Sequence, residues 1–381
     1  MSATLSTLAQ LVAFPTESRT PNAALIDWVA DRLAAFGGRV TRVGGADTAG
    51  RTNLLASFGP PVAGGLLLSG HSDVVPAGTG WATDPWTATS VDGSVFGRGT
   101  ADMKGFIASV LTTVERLADA SWTAPLHIAL SFDEEVGCVG VRHLLSNLVD
   151  QPDVRPALVV IGEPTMMQPR HRHLGKVGYE VSFHGMAGHS SLSHRLPSAI
   201  SAAARVIAAL DALGVKAVAD AAGGEPELTV NCGVIEGGTG LNVIAAACHL
   251  SFELRHTAAL DPDLALAPVR AALAREYALL AEVGRGIEVT EIVRYPGLAT
   301  DAENPLVKLV ERIADAGSCI PLGFGTEGGL FAATLDAPVV ICGPGDIAVA
   351  HRPDEYVTLE QLARCDTFLA GLVHQVSLSP T

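Results

Sequence analysis

Short apolar runs alternate with helical periodicity through the first part of the chain. "NLLASF", "GLLLSG", "LHIALSF" and "ALVVIGEP" carry apolar residues on both parities, the pattern of strands buried on two faces. "NAALIDWVADRLAAFGG" is amphipathic and closes on Gly37 and Gly38. "GFIASVLTTVERLADA" sets Phe106, Ile107, Val110, Leu111, Val114 and Leu117 on one helical face. Such alternation predicts an α/β fold, a mostly parallel sheet with helices on both faces.

From residue 177 the period shortens to two. Val177, Tyr179, Val181 and Phe183 alternate with polar positions, as do Leu228, Val230, Cys232 and Val234, and Cys248, Leu250, Phe252 and Leu254. Alternation means sheet with one polar face, here interleaved with helices expected near 196–213 and 268–282. The α/β pattern then resumes with "NPLVKLVERIADA", "APVVICGPG" and a last helix, whose Thr358 and Gln361 form a capping-box sequence. The expected organisation is one domain from 1–176 and 291–381, with an α+β module at 177–290 inserted into it.

Composition narrows the class. Of 381 residues, 48% are hydrophobic and 17% charged, enough apolar content for a sizeable core. The net charge of −15 speaks against nucleic acid or an acidic membrane as partner. No apolar stretch is long enough to span a membrane, and the N-terminus has neither the basic region nor the apolar core of a signal peptide. Six cysteines lie scattered, mostly in apolar runs, which reads as buried free thiols in a reducing compartment, the cytoplasm.

The chemistry gathers where the strands end. His71 and Asp73 follow "GLLLSG", Asp133, Glu134 and Glu135 follow "LHIALSF", and Glu163 closes "ALVVIGEP". Asp102 precedes a helix, and "APVVICGPG" leads through "DIAVA" to His351. In an open α/β sheet the carboxyl ends of strands form the ligand crevice, so five segments aim imidazoles or carboxylates at one place. Adjacent carboxylates near a core repel, and divalent cations are the natural neutraliser. There are too many for one tetrahedral site, which points to two ions. Nitrogen and oxygen donors suit zinc, with cobalt or manganese as alternatives.

"SGHSDVVPAG", "GRGTADMKGFIA", "SFDEEVG", "IGEPT", "GHSS" and "GPGDIAVAHRPDEYV", in that order, resemble the motifs of the acetylornithine deacetylase and succinyl-diaminopimelate desuccinylase family of co-catalytic zinc amidohydrolases. The resemblance spans nearly the whole chain. It implies a zinc-peptidase-like catalytic domain and a ferredoxin-like lid that also dimerises. It further implies that His71 and Glu163 hold one metal, that Glu135 and His351 hold the other, and that Asp102 bridges them, with a cis peptide after Asp102. Asp73 is expected to orient His71, and Glu134 to serve as general base. Asp133 is expected to be a structural loop acid.

By the same resemblance His189, in "GMAGHSSLSH", reaches across a homodimer interface to the developing oxyanion, while Asn242 and Arg255 face the substrate. The substrate expected is a small N-acyl amino acid. N2-acetyl-L-ornithine offers an α-carboxylate for Arg255 and a distal ammonium for Glu327, which stands where the desuccinylases usually carry a serine or aspartate. The alternatives are a related amidohydrolase, such as a desuccinylase or an N-acetylcitrulline deacetylase, and a non-catalytic metal- or amino-acid-binding protein.

Overall fold

A computed structural model describes residues 2–44 and 49–378. The chain divides into two compact units, Leu174–Gly297 and the remainder. These bounds lie outside the 177 and 290 that alternation alone suggests, because the strand Gly175–His184 begins earlier and Gly286–Tyr295 runs on later.

Besides a small sheet of Tyr356–Thr358, Ser94–Phe96 and Thr89–Val91, the first unit is built on one large sheet. Its strand order is Arg39–Val43, Asn53–Phe58, Leu126–Ser131, Leu66–His71, Leu158–Pro164, Val339–Gly343, Arg170–His173 and Leu298–Ala299, with Ile320–Pro321 also on Arg170–His173. The four strands from Leu126–Ser131 to Val339–Gly343 are parallel neighbours, and both flanks turn antiparallel. Their apolar runs are needed because both faces are covered. Leu66, Leu68, Ile128, Leu158 and Val160 pack with helices Ala3–Val12, Ala23–Ala35, Lys104–Arg116 and Leu359–Ser377. The alternate residues Leu67, Ala129, Val159 and Ile161 are also buried, on the side of helices Val139–Val149 and Gly328–Leu335.

Two glycines set how closely the helix Lys104–Arg116 approaches. A Cβ on Gly162 would lie 1.9 Å from the Phe106 ring, and one on Gly70 would lie 2.9 Å from the end of Met103. Each glycine precedes a residue of interest, Glu163 and His71. The close contact therefore draws the start of that helix, with Asp102 just before it, up to two strand ends.

The second unit runs strand–helix–strand–strand–helix–strand, with the antiparallel order Leu228–Gly237, Ala247–His256, Gly175–His184, Gly286–Tyr295. That is the ferredoxin-like arrangement. Val181, Phe183, Leu250, Phe252 and Leu254 point to one face, which helices Ala199–Asp220 and Ala267–Ala281 cover. One part of the alternation breaks. Cys232 pairs with Phe252 and Val234 with the adjacent Ser251, so Gly233 is a bulge that shifts the phase. Val234 is exposed as a result, not turned to the core as simple alternation predicts.

Candidate metal centre

The parallel strands deliver their ends to one edge. His71 is the last residue of Leu66–His71, and Glu163 is the penultimate residue of Leu158–Pro164. After Leu126–Ser131 the chain turns through Asp133 and Gly137, both at positive φ, and this turn carries Glu134 and Glu135. His351, also at positive φ, arrives from the loop beyond Val339–Gly343. The Asp102–Met103 peptide is cis, as the sequence resemblance implies.

Two donor groups form there and share one carboxylate. His71, Asp102 and Glu163 bring ligand atoms within 4.8 Å of one another, and so do Asp102, Glu135 and His351. Among the described residues these are the groups able to hold a metal ion. Asp102 Oδ1 lies 3.0 Å from His71 Nε2, while its Oδ2 lies 3.3 Å from His351 Nε2. Glu135 stands 3.0 Å from the same His351 nitrogen. All the donors are nitrogen or oxygen, the set that suits zinc, cobalt or manganese.

The electrostatics call for positive charge. Burial, then Asp102 and Glu134, push the Glu163 carboxyl well above its ordinary range. Burial does the same to Glu134, with Glu135 and Glu327 adding to it against the pull of His71. Glu135 is raised by burial and Asp102, although His351 opposes this. Asp102 alone is held low: burial resists its charge, but the hydrogen bonds from His351 and His71 prevail. Hydrogen bonds to Asp102 and Glu135 push His351 up to about 10, and Asp102, with Glu163 and Asp73, raises His71 despite its burial. Carboxylates crowded beyond what two imidazoles can neutralise suit a cationic guest, and the donor set fits one.

Asp73 is placed beside His71, with a divided role. Its backbone carbonyl lies 2.8 Å from His71 Nδ1, while its carboxylate stands 3.7 Å away. That carboxylate instead accepts from Ser18 Oγ at 2.7 Å and from the backbone N–H of Glu134 at 3.1 Å and of Glu135 at 3.4 Å. It therefore fixes the turn that presents both glutamates. Asp133 points away, accepting from the Arg19 backbone N–H and pairing with Arg51. Among the described residues the Glu134 carboxylate is met by the Cys138 thiol, 3.4 Å from Oε1, and by no imidazole at bonding distance.

Glu327 also belongs to this cluster, near Ser131 and Ser69, and burial lifts it to about 7. It is 1% exposed, and among the described residues no donor meets its Oε1 with hydrogen-bond geometry. The other sequence candidates lie in the second unit. His189 and Asn242 are brought side by side, Ser190 N–H donating to the Asn242 carbonyl at 3.0 Å. His189 Nδ1 accepts from Ser191 N–H, which places the ring proton on Nε2. Arg255 donates from Nε to Glu253 at 2.9 Å, and Lys176 shares that carboxylate.

Sequence reasoning passed over Arg98 and Glu355. Both stand inside the motifs quoted above, in "GRGTADMKG" and "HRPDEY", yet nothing local marks them. They are separated by most of the chain and meet as a buried ion pair at 2.7 Å.

The fold and the donor groups define a two-unit α/β protein with a candidate metal centre. Residues 67–375 match Peptidase family M20/M25/M40, and the chain belongs to that family. It is 37% identical to an acetylornithine deacetylase of Myxococcus xanthus, over 97% of this chain and 96% of that protein. It is 33% identical to an acetylornithine deacetylase of Pasteurella multocida, over 97% of each chain. Among solved structures, an aminopeptidase of Bacillus cereus superposes with a TM-score of 0.79 at 19% identity, covering 98% of both chains, which establishes likeness of fold.

Proposed function

We propose that this chain is a binuclear metal-dependent amidohydrolase that removes the acetyl group of N2-acetyl-L-ornithine, giving L-ornithine and acetate. The observation that carries the reading is the pair of donor groups joined at Asp102, with an uncommitted Glu134 beside them. The names of the relatives supply the substrate. In this reading His71 and Glu163 hold one divalent ion, Glu135 and His351 the other, and Asp102 both. Zinc fits the donors best, with cobalt or manganese as substitutes. Such ions, when bound, polarise an amide carbonyl and lower the pKa of water.

The chain's own residues do the rest. Glu134 takes the proton from water and hands it to the departing amine, a shuttle that needs a carboxylate not spent on a metal. Asp73 holds Glu134 and Glu135 through their backbone N–H groups. His189, with its proton on Nε2, is the donor for the developing oxyanion, supplied from the partner chain of a homodimer. Asn242 and Arg255 receive the α-carboxylate end. Glu327, buried with one oxygen that no donor among the described residues meets, takes the distal ammonium. The free cysteines, five buried and Cys232 half-buried, suit the cytoplasm, and among the described residues no helix is long and apolar enough to cross a membrane.

Two variants test the assignment. Glu134→Gln keeps wild-type metal content and loses turnover by at least about 10²-fold; loss of metal instead would exchange the roles of Glu134 and Glu135. Glu327→Gln lowers kcat/KM for N-acetylornithine about tenfold more than for the neutral-tipped N-acetylcitrulline. Equal loss on both would leave Glu327 a scaffold residue.

A further inference from the structure

Glu355 is 1% exposed and its two oxygens accept four hydrogen bonds. Oε2 takes Arg98 at 2.7 Å and the Gly99 backbone N–H at 3.0 Å. Oε1 takes the backbone N–H of Ala101 at 2.9 Å and of Asp102 at 3.0 Å. Arg98, 2% exposed, donates onward to the Pro76 and Ala77 carbonyls, both at 3.3 Å, and its guanidinium lies 5.0 Å from the centre of the Trp81 ring. The pair therefore joins three segments: the one leaving His71, the one entering Asp102 and the one leaving His351. The strand Tyr356–Thr358 pairs with Ser94–Phe96, which keeps Glu355 and Arg98 in register.

We propose that Glu355, backed by Arg98, is a positioning residue for the metal centre. It fixes the backbone of the shared ligand Asp102 and ties it to the loops of His71 and His351. The proposal rests on the metal reading above and goes beyond it. A buried carboxylate must have its lone pairs satisfied whatever its role, so the informative point is which groups satisfy them. Here three of the four donors are the backbone N–H groups leading into Asp102, so the carboxylate acts on where that side chain starts. Because Asp102 belongs to both donor groups, loss of the anchor weakens both together. Glutamine at 355 keeps the shape but turns an amide NH2 toward two donors and leaves them unpaired.

The test measures zinc affinity by competition with a chromophoric chelator, the visible spectrum of the cobalt-loaded protein, and melting of the metal-free protein. It compares wild type, Glu355→Gln, Glu355→Asp and a control, Glu276→Gln. Glu276 is buried and paired in two-pronged fashion with Arg205 in the second unit, at 2.8 and 2.6 Å. Glu355→Gln should lose tenfold or more in zinc affinity at both sites and shift the cobalt bands, the scale typical of residues that orient ligands. Glu355→Asp, which keeps both oxygens, should recover part of the affinity. Glu276→Gln should melt earlier with wild-type zinc affinity and spectrum. A Glu355→Gln protein that melts earlier yet binds zinc and shows cobalt bands like wild type overturns the proposal. If Glu355→Gln does not fold, Glu355→Asp and Arg98→Lys decide it, and wild-type affinity in both overturns it. Wild-type protein that binds no zinc defeats the metal reading itself, a separate outcome.

Discussion

Asp102 shows how one side chain organises a site: its two oxygens face two imidazoles, one from a strand end and one from a loop, 3.0 and 3.3 Å away. Which residues gather was legible in the sequence because His71, Glu163 and the acidic triplet sit directly at strand ends. What each one touches was not. The divided role of Asp73 depends on a turn geometry that places its carboxylate under two N–H groups, and residue type carries no trace of that. Single residues also set the response to acid. His127, in the strand Leu126–Ser131, lies 2.8 Å from Ser57 Oγ, and burial, helped by Arg39, holds its pKa down at about 4. The unfolded chain takes up this proton near 6.5 and the folded one resists until about 4, so stability falls as pH drops across that window. The loss amounts to about 3 kcal/mol. His127→Asn retains a partner for Ser57 and removes the titration. Urea unfolding at pH 6.5 and 4 should therefore show wild type losing more stability than the variant over the interval. Parallel losses would mean that His127 is not held neutral.

At the scale of elements, the apolar pattern read well where both faces of a strand are buried. It read less well at ends and irregularities. The helix expected near 196–213 runs Ala199–Asp220, extended by residues 214–220, whose Val215 and Val218 are exposed and so continue no core-facing stripe. The Thr358 cap forms, its side chain accepting from Gln361 N–H, but the reciprocal bond of a capping box is replaced: Gln361 Oε1 accepts from Gly345 N–H at 2.5 Å. Tertiary contact outbid the local motif there. The bulge at Gly233 is a similar case, since a one-residue insertion in a ladder leaves no mark on an alternating sequence until its partner strand is known. Gly70 and Gly162 carried information that became readable only with Met103 and Phe106 laid against them.

At the scale of the whole molecule, the first unit holds both donor groups, while His189, Asn242 and Arg255 belong to the second. The proposed role of a partner chain's His189 predicts complementation. Inactive His189→Ala and inactive Glu134→Gln chains, unfolded and refolded together, should regain part of the activity, because a mixed dimer holds one site with neither lesion. No recovery, with a fully active wild-type monomer by light scattering, would remove the partner from the mechanism. The pairing of Arg98 with Glu355 across most of the chain shows why the full support of the centre lay beyond sequence reasoning: only the folded sheet makes them neighbours.

The most direct measurement is hydrolysis of N2-acetyl-L-ornithine by zinc-loaded protein, set beside N-acetylcitrulline, N-acetylmethionine and N-succinyl-diaminopimelate. The predicted result is the highest kcat/KM on acetylornithine, lost on chelation and restored by zinc or cobalt. Activity indifferent to chelation, or none on any of the four substrates from folded, metal-loaded protein, would contradict it.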